Sequence, residues 1–300
     1  MIIAITGGSG FIGKLLVKRH IEQGDQVRLL SRKAPLKGVS TQYFFGDLAD
    51  PGVDLSSFLD NVDILYHCAG EINNESLMRE LHVNGTKRLT IAAKGNISRW
   101  VQLSSVGVYG SCREGTITED SKVKPIGVYE ETKSESDKIV MNSGIPFVIL
   151  RPSNVFSDNM PNQSLNALLD SVHKGLFFFI GKENESLVNY IHVSDVVNAL
   201  ICCGSHEKSL GAVFNLSQST TVEKMITAFA PNKKILRFPK SIVKVIVAIF
   251  GRIPGFPLTY SRFDALTGRC IYNSVKLQKI LEFKYSMTLE ERFVLFAKKR

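Results

Sequence analysis

The stretch MIIAITGGSGFIG, residues 1–13, decides how the rest of the chain is read. Ile2, Ile3, Ala4 and Ile5 form an apolar, mostly β-branched run that suits a strand buried on both faces. Gly7, Gly10 and Gly13 follow at three-residue spacing, and residues 14–23 carry a helical pattern. A strand feeding a glycine turn and then a helix start builds a cradle for a dinucleotide. Gly7 permits the tight turn, Gly10 lets a pyrophosphate approach the backbone, and Gly13 lets helix and strand pack closely. The helix's N-terminal N–H groups and the positive end of its dipole then face the anion. Phe11 and Ile12 complete the cradle. The same glycines also fit an ordinary αβ turn, so the reading depends on what lies further along the chain.

Outward from this turn, residues 26–30 (QVRLL) read as a second strand with Ser31, Arg32 and Lys33 at its tip. An acid here would bind a ribose 2′-hydroxyl, whereas a 2′-phosphate calls for arginine. No acid is present while Arg32 and Lys33 both are, which points to NADP(H), with NAD as the alternative and Ser31 and Arg32 as cofactor contacts. Two surface cations in a loop would read the same way. Further strands are predicted at 42–45, 63–66, 99–103 and 146–150, with helices over 74–93 and from Val128. Residues 111–125 are polar and loop-like. Strands alternating with helices imply an α/β fold with a Rossmann-like, doubly wound parallel sheet. Ligands then sit beyond the strands' carboxyl ends.

After Arg151 the rhythm changes. A helix is predicted over 164–174, a second from Asp195 to about Cys203, and short helices beyond Thr220, broken at Pro254, Gly255 and Pro257. We therefore expect a dinucleotide-binding domain over 1–151, rejoined by part of 190–216. A smaller, mostly helical substrate-binding lid would occupy 152–300.

Composition sets bounds. With 300 residues, 44% hydrophobic and 22% charged, the chain matches an ordinary globular protein. The net charge of +9 permits anionic partners, but the cations are spread out and no nucleic-acid recognition module appears, so nucleic acid is not an expected partner. Five cysteines without Cys-x-x-Cys spacing suggest reduced thiols and no metal site. The first strand begins at Met1 without a basic leader, which points to the cytoplasm. Residues 241–250 (SIVKVIVAIF) are strongly apolar but short of the roughly 20 needed to span a bilayer. They fit a buried lid helix, or a surface touching membrane or a greasy substrate with Lys240 and Lys244 snorkelling.

Tyr129 and Lys133 stand four apart on a predicted helix, within reach of each other. The ammonium is expected to favour phenolate and bring the phenol towards working pH. Ser105, with Val106 beside it, ends the predicted strand at the same mouth and can hydrogen-bond a substrate oxygen. A serine, a tyrosine and a lysine over a nicotinamide suit carbonyl–alcohol hydride transfer.

With these motifs (TGGSGFIG, GDL, HCAG, SSVGVYG, YEETK, RPSNVF and YIHVSD) the chain resembles the extended short-chain dehydrogenase/reductases, in the sugar-nucleotide epimerase/dehydratase branch. The resemblance implies that Gly7, Gly10 and Gly13 hold the pyrophosphate, Asp47 and Leu48 meet the adenine, and Ala69 and Gly70 line the cofactor cleft. It implies that Asn84 supports the active-site helix and that Asn154 faces the substrate, with Ser105, Tyr129 and Lys133 as the catalytic set. Asp47 as a turn cap, Asn84 as a polar core residue and Asn154 as a loop closure remain open. Tyr109 reads as pocket wall, His192 as a packed structural histidine and Asp195 as a helix cap.

One departure stands out. Many relatives carry a diphosphate-binding arginine two positions before Tyr-Ile-His-Val, and here Val188 stands there with Asn189 beside it. Arg262 or Arg269 takes over that role, or the substrate lacks a nucleotide, as in hydroxysteroid- or flavonoid-type relatives. The expected activity is NADP(H)-dependent reduction of a keto group, at C4, of a nucleotide-diphosphate sugar. An NAD-dependent UDP-sugar 4-epimerase and an idle cofactor-sensing protein are the alternatives. The resemblance also implies a homodimer through the helices near Asn74 and Val128.

Overall fold

The computed structural model describes residues 1–32, 41–161, 163–253 and 258–299. Lys33, Pro254, Gly255 and Pro257 lie outside them. The chain runs β1 (Ile2–Thr6), α1 (Gly13–Glu22), β2 (Gln26–Ser31), β3 (Gln42–Phe45), α2 (Ser56–Leu59) and β4 (Val62–His67). Next come α3 (Glu75–Arg79), a π-helical turn (Glu80–Asn84), α4 (Gly85–Ala93) and β5 (Ile97–Leu103). A 3₁₀ turn (Val106–Tyr109) leads to β6 (Glu114–Ile117), α5 (Val128–Met141), β7 (Phe147–Pro152) and β8 (Asn154–Phe156). Then follow α6 (Ser164–His173), β9 (Phe179–Ile180), β10 (Leu187–His192), α7 (Val193–Ser205), β11 (Ala212–Leu216) and β12 (Gln218–Thr221). The last elements are α8 (Val222–Phe229), β13 (Arg237–Phe238), α9 (Lys240–Phe250), α10 (Tyr260–Thr267), β14 (Arg269–Tyr272), α11 (Val275–Ile280) and α12 (Leu289–Lys298).

Seven strands form one all-parallel sheet in the order β3-β2-β1-β4-β5-β7-β11. Side chains alternate across it. Ile3 and Ile5 point to a core shared with Leu16 of α1, Val196 and Leu200 of α7 and Leu277 of α11. Ala4 points the other way, to a core shared with Phe58 of α2, Leu89 of α4 and Val140 of α5. Both faces are covered, which explains why these strands read as continuous apolar runs rather than alternating ones. The strand order reverses between β1 and β4, and the crevice beyond their carboxyl ends is where such sheets bind ligands.

The other elements build a smaller lobe. A three-stranded sheet, β12-β10-β8, packs with α6, α8 and α12 around Phe156, Leu169, Met225, Phe229 and Phe293. Two parallel strand pairs, β9 with β13 and β6 with β14, flank it.

Three expectations change. The helix over 74–93 is interrupted by the π turn, which coincides with the hydrogen bonds made by His82. The segment over 111–125 contains β6, whose first three residues are exposed and so carry no apolar pattern. Within 241–250 only Val243 and Val247 are buried, so the segment forms a helix that is mostly uncovered. Among the described residues no helix is long and apolar enough to cross a membrane.

Candidate active site

The glycine turn is built by close backbone approach. Gly7 has a φ of 70°, which L side chains rarely adopt, and a Cβ there would lie 2.6 Å from the Ala69 nitrogen. A Cβ on Gly13 would lie 2.2 Å from the Gly7 carbonyl oxygen, so no side chain fits. The Gly10 N–H donates to that carbonyl at 2.9 Å. Helix α1 opens at Ile12 without a side-chain cap, and within its first turn the Lys14 N–H donates to the Gly10 carbonyl at 3.0 Å and the Leu15 N–H to the Ile12 carbonyl at 3.1 Å. Ile12 packs under the sheet, whereas Phe11 packs against the core of the smaller lobe and so ties the turn to it.

At the tip of β2, the exposed Arg32 guanidinium stands 3.7 Å from the Asp47 carboxylate, which also accepts from the Ala49 N–H at 3.0 Å. Ser31 ends β2 beside it. Leu48 is buried, and its carbonyl takes Arg88 Nε at 3.1 Å and a second, shorter contact from Arg88 Nη2. Across the switch point, the Ala69 N–H donates to Thr6 Oγ1 at 3.3 Å, and Gly70 lies close to the His82 ring.

Helix α5 carries Tyr129 and Lys133 over the end of β5. Lys133 is buried, and its Nζ donates to the Leu103 carbonyl at 2.6 Å. Burial lowers its pKa, opposed by the Asp137 carboxylate and the Cys68 thiol. Ser105 follows β5 directly and caps the 3₁₀ turn, its Oγ accepting from the Gly107 N–H at 3.1 Å. Gly107 leaves the room that Glu130, next to Tyr129, occupies: a Cβ there would meet Glu130 Cγ at 2.9 Å. Tyr129 sits one helical turn before Lys133. Its phenol is pushed up to about 12, by burial first and then by the Glu130 and Asp137 carboxylates. This is the reverse of the direction read from the Tyr129–Lys133 spacing. The ammonium is instead engaged by the Leu103 carbonyl.

Sequence reading missed the groups that hold α5 in place. His82 Nε2 accepts from the Glu71 N–H at 2.9 Å, leaving Nδ1 to donate to Thr132 Oγ1 at 2.8 Å. Its ring meets Tyr129 edge-on, with centroids 5.7 Å apart. Burial drops the His82 pKa to about 3, with the Lys133 charge adding to the effect, so the ring is neutral. Asn84, in the same π turn, donates to Glu80 Oε2 at 2.6 Å, and it is His82 and Thr86 that reach α5. A second set, fully buried, joins α5 to β7. Asp137 Oδ2 takes Ser104 Oγ at 2.8 Å and Arg151 Nη2 at 3.0 Å, while Arg151 Nη1 donates to the Tyr109 hydroxyl at 3.0 Å. Tyr109, read as pocket wall, is buried and donates to Asn215 Oδ1 at 2.9 Å.

Of the residues expected at the substrate, Asn154 opens β8, is exposed and donates to the Asn189 carbonyl at 3.1 Å. Val188 is buried in the smaller lobe's core, and Asn189 donates to the Cys270 carbonyl at 2.9 Å. Arg269 bridges two carboxylates, Glu185 at 3.1 Å and Glu114 at 3.4 Å. Arg262 is exposed on α10. Val106 is buried with Val108 and Tyr109. His192, rather than Asp195, caps α7 by accepting from the Ser194 N–H. Asp195 is buried and instead receives the Ser286 N–H at 3.0 Å and the Ser286 hydroxyl at 2.6 Å.

Residues 3–217 match the NAD dependent epimerase/dehydratase family. The chain belongs to that family. It is 28% identical to the mouse sterol-4-alpha-carboxylate 3-dehydrogenase, decarboxylating, over 67% of this chain and 59% of the mouse protein. The chain thus spans just over half the length of that relative. It is 27% identical to the UDP-glucose 4-epimerase of Vibrio cholerae over 97% of this chain and 93% of that one. Among solved structures, the UDP-glucuronic acid 4-epimerase of Bacillus cereus in complex with NAD superposes with a TM-score of 0.75. It covers 99% of this chain and 96% of its own at 17% identity, a likeness of fold.

The dinucleotide implied by membership of the epimerase/dehydratase family suits the residues present. The cradle from Gly7 to Gly13 excludes side chains, the helix start above it has no side-chain cap, and Ala69 and Gly70 face it across the switch point. These are the features a pyrophosphate needs.

Proposed function

We propose that this chain is an NADP(H)-dependent reductase of a keto group, at C4, of a nucleotide-diphosphate sugar. Gly7, Gly10, Phe11, Ile12 and Gly13 would cradle the pyrophosphate, Asp47 and Leu48 would meet the adenine, and Ala69 and Gly70 would line the cleft. Ser31 and Arg32 would take the 2′-phosphate. When bound, the reduced nicotinamide supplies a hydride.

The chain's own residues do the rest. A phenol raised to about 12 keeps its proton at neutral pH, which suits Tyr129 to donating that proton to the substrate's carbonyl oxygen. Ser105 Oγ accepts from the Gly107 N–H, which leaves its own O–H as a donor to the same oxygen. Lys133, anchored on the Leu103 carbonyl, holds the ribose hydroxyls and keeps positive charge under the site. Asn154 faces the sugar, with Val106 behind the wall. Arg262 or Arg269 would meet the diphosphate, and at Arg269 the anion displaces Glu114 or Glu185.

The observation that carries this reading is the placement of Tyr129 on α5, one turn before the buried Lys133 and beside the Ser105 turn. The test is oxidation of NADPH and of NADH by the purified protein with a panel of UDP- and dTDP-4-keto-sugars. Turnover with NADPH preferred is expected, and no turnover across the panel would overturn it.

A second reading, an NAD-dependent UDP-sugar 4-epimerase, draws on the near full-length similarity to the Vibrio cholerae protein. Its mark would be purification with bound NAD and C4 epimerisation without added cofactor. We also propose a homodimer through α3 and α5, to be checked by light scattering.

A further inference from the structure

Helix α9 presents apolar surface that the rest of the described molecule does not cover. Val243 and Val247 pack against Ile180 and Phe263. At 3.6 residues per turn, Ile242, Val245, Ile246 and Ile249 fall on a separate arc of about 100°. They are 53%, 58%, 40% and 62% exposed, and Ile253 just beyond the helix is 52% exposed. Single exposed aliphatic residues are ordinary, whereas a contiguous face of them marks a contact surface.

The charge around this face names the partner. Residues 231–263 contain Lys233, Lys234, Arg237, Lys240, Lys244, Arg252 and Arg262, and not one Asp or Glu. Lys244 and Arg252 are exposed. Arg237 pairs with Glu223 at 2.8 Å, a carboxylate from outside the stretch. A second copy of this chain meeting the same patch across a two-fold axis would set these cations against their own equals. A nucleic acid would satisfy the cations but leave the isoleucines in water. A bilayer surface rich in anionic lipid satisfies both. We propose that α9 lies in the plane of such a surface, its isoleucine and valine arc at the headgroup–acyl boundary and the exposed Arg252 beyond its end on headgroup phosphates, while Lys240 and Lys244, opposite the arc, add longer-range attraction.

The test uses the full chain and sucrose-loaded vesicles, either phosphatidylcholine alone or an equimolar mixture with phosphatidylglycerol. The wild type should sediment with the mixed vesicles. Sedimentation should fall at least about tenfold on phosphatidylcholine alone, and equally in an Ile246→Glu/Ile249→Glu double variant. An Ile249→Trp variant guards against misfolding of the charged one. The native Trp100 is fully buried, so blue-shifted emission on adding mixed vesicles reports the new indole entering the interface. No sedimentation of the wild type, equal sedimentation of the double variant or unshifted Ile249→Trp emission would each overturn the proposal. So would a wild-type dimer that the double variant converts to monomer without lipid, which would assign the face to a second copy.

Discussion

At Gly13 a single methyl group decides whether the cradle exists. A Cβ placed 2.2 Å from the Gly7 oxygen forces the turn apart, so Gly13→Ala should weaken NADPH binding by at least about tenfold in a fluorescence titration. Arg32→Ala tests the cofactor preference. Charge-assisted hydrogen bonds contribute about 1.5–3 kcal/mol, so the KM for NADPH should rise roughly 10- to 100-fold while that for NADH changes little. An unchanged NADPH-to-NADH ratio would shift the assignment to NAD. At Tyr129 the raised phenol pKa means that the acid form persists through neutral pH and is lost only as pH climbs towards about 12. Reductive kcat/KM in the free enzyme should therefore stay level to about pH 10, where an unperturbed phenol near 10 would already be half ionised.

Helix α5 works because other elements clamp it, and the π turn is one of the clamps. His82→Ala strips a partner from the Thr132 hydroxyl and from the Glu71 N–H. That should cost about 1–3 kcal/mol, read as a lowered melting temperature. If kcat falls as well while the KM for NADPH holds, His82 positions Tyr129. The strands, the glycine turn and the helix that carries Tyr129 and Lys133 were legible because each is written locally, as a short apolar run or a helical pattern. His82 was not, since its partners lie 11 and 50 residues away, and a π turn adds a residue without changing composition. The links from Ser104 through Asp137 and Arg151 to Tyr109 were equally hidden, being side-chain contacts between four separate elements and turns. Strand β6 escaped because its exposed residues carry no alternation, and the cap of α7 escaped because a histidine does what an aspartate usually does.

Across the whole molecule, four of the six histidines (His20, His67, His82 and His192) have pKa values lowered chiefly by burial, His82 to about 3 and His192 to about 4. A histidine whose folded pKa lies below its unfolded value of 6.5 stabilises fully above pH 6.5 and loses that contribution as pH falls through the interval. Asp137, raised by burial, acts in the opposite sense. Each uncharged histidine is worth about 1.4 kcal/mol per pH unit in that window. The urea midpoint should accordingly drop steeply between pH 6.5 and 5, and a flat profile would mean the rings are not buried as described. Stability and the proposed chemistry thus share one construction, polar groups sealed beneath the crevice that we propose delivers hydride and proton to a single carbonyl. The most direct measurement is isotope transfer, with NADPH deuterated at the nicotinamide, a UDP-4-keto-sugar and NMR of the product. Wild type should place deuterium at C4, and Tyr129→Phe should form that product about 10²- to 10⁴-fold more slowly. An unlabelled C4, or undiminished turnover by Tyr129→Phe, would contradict the mechanism.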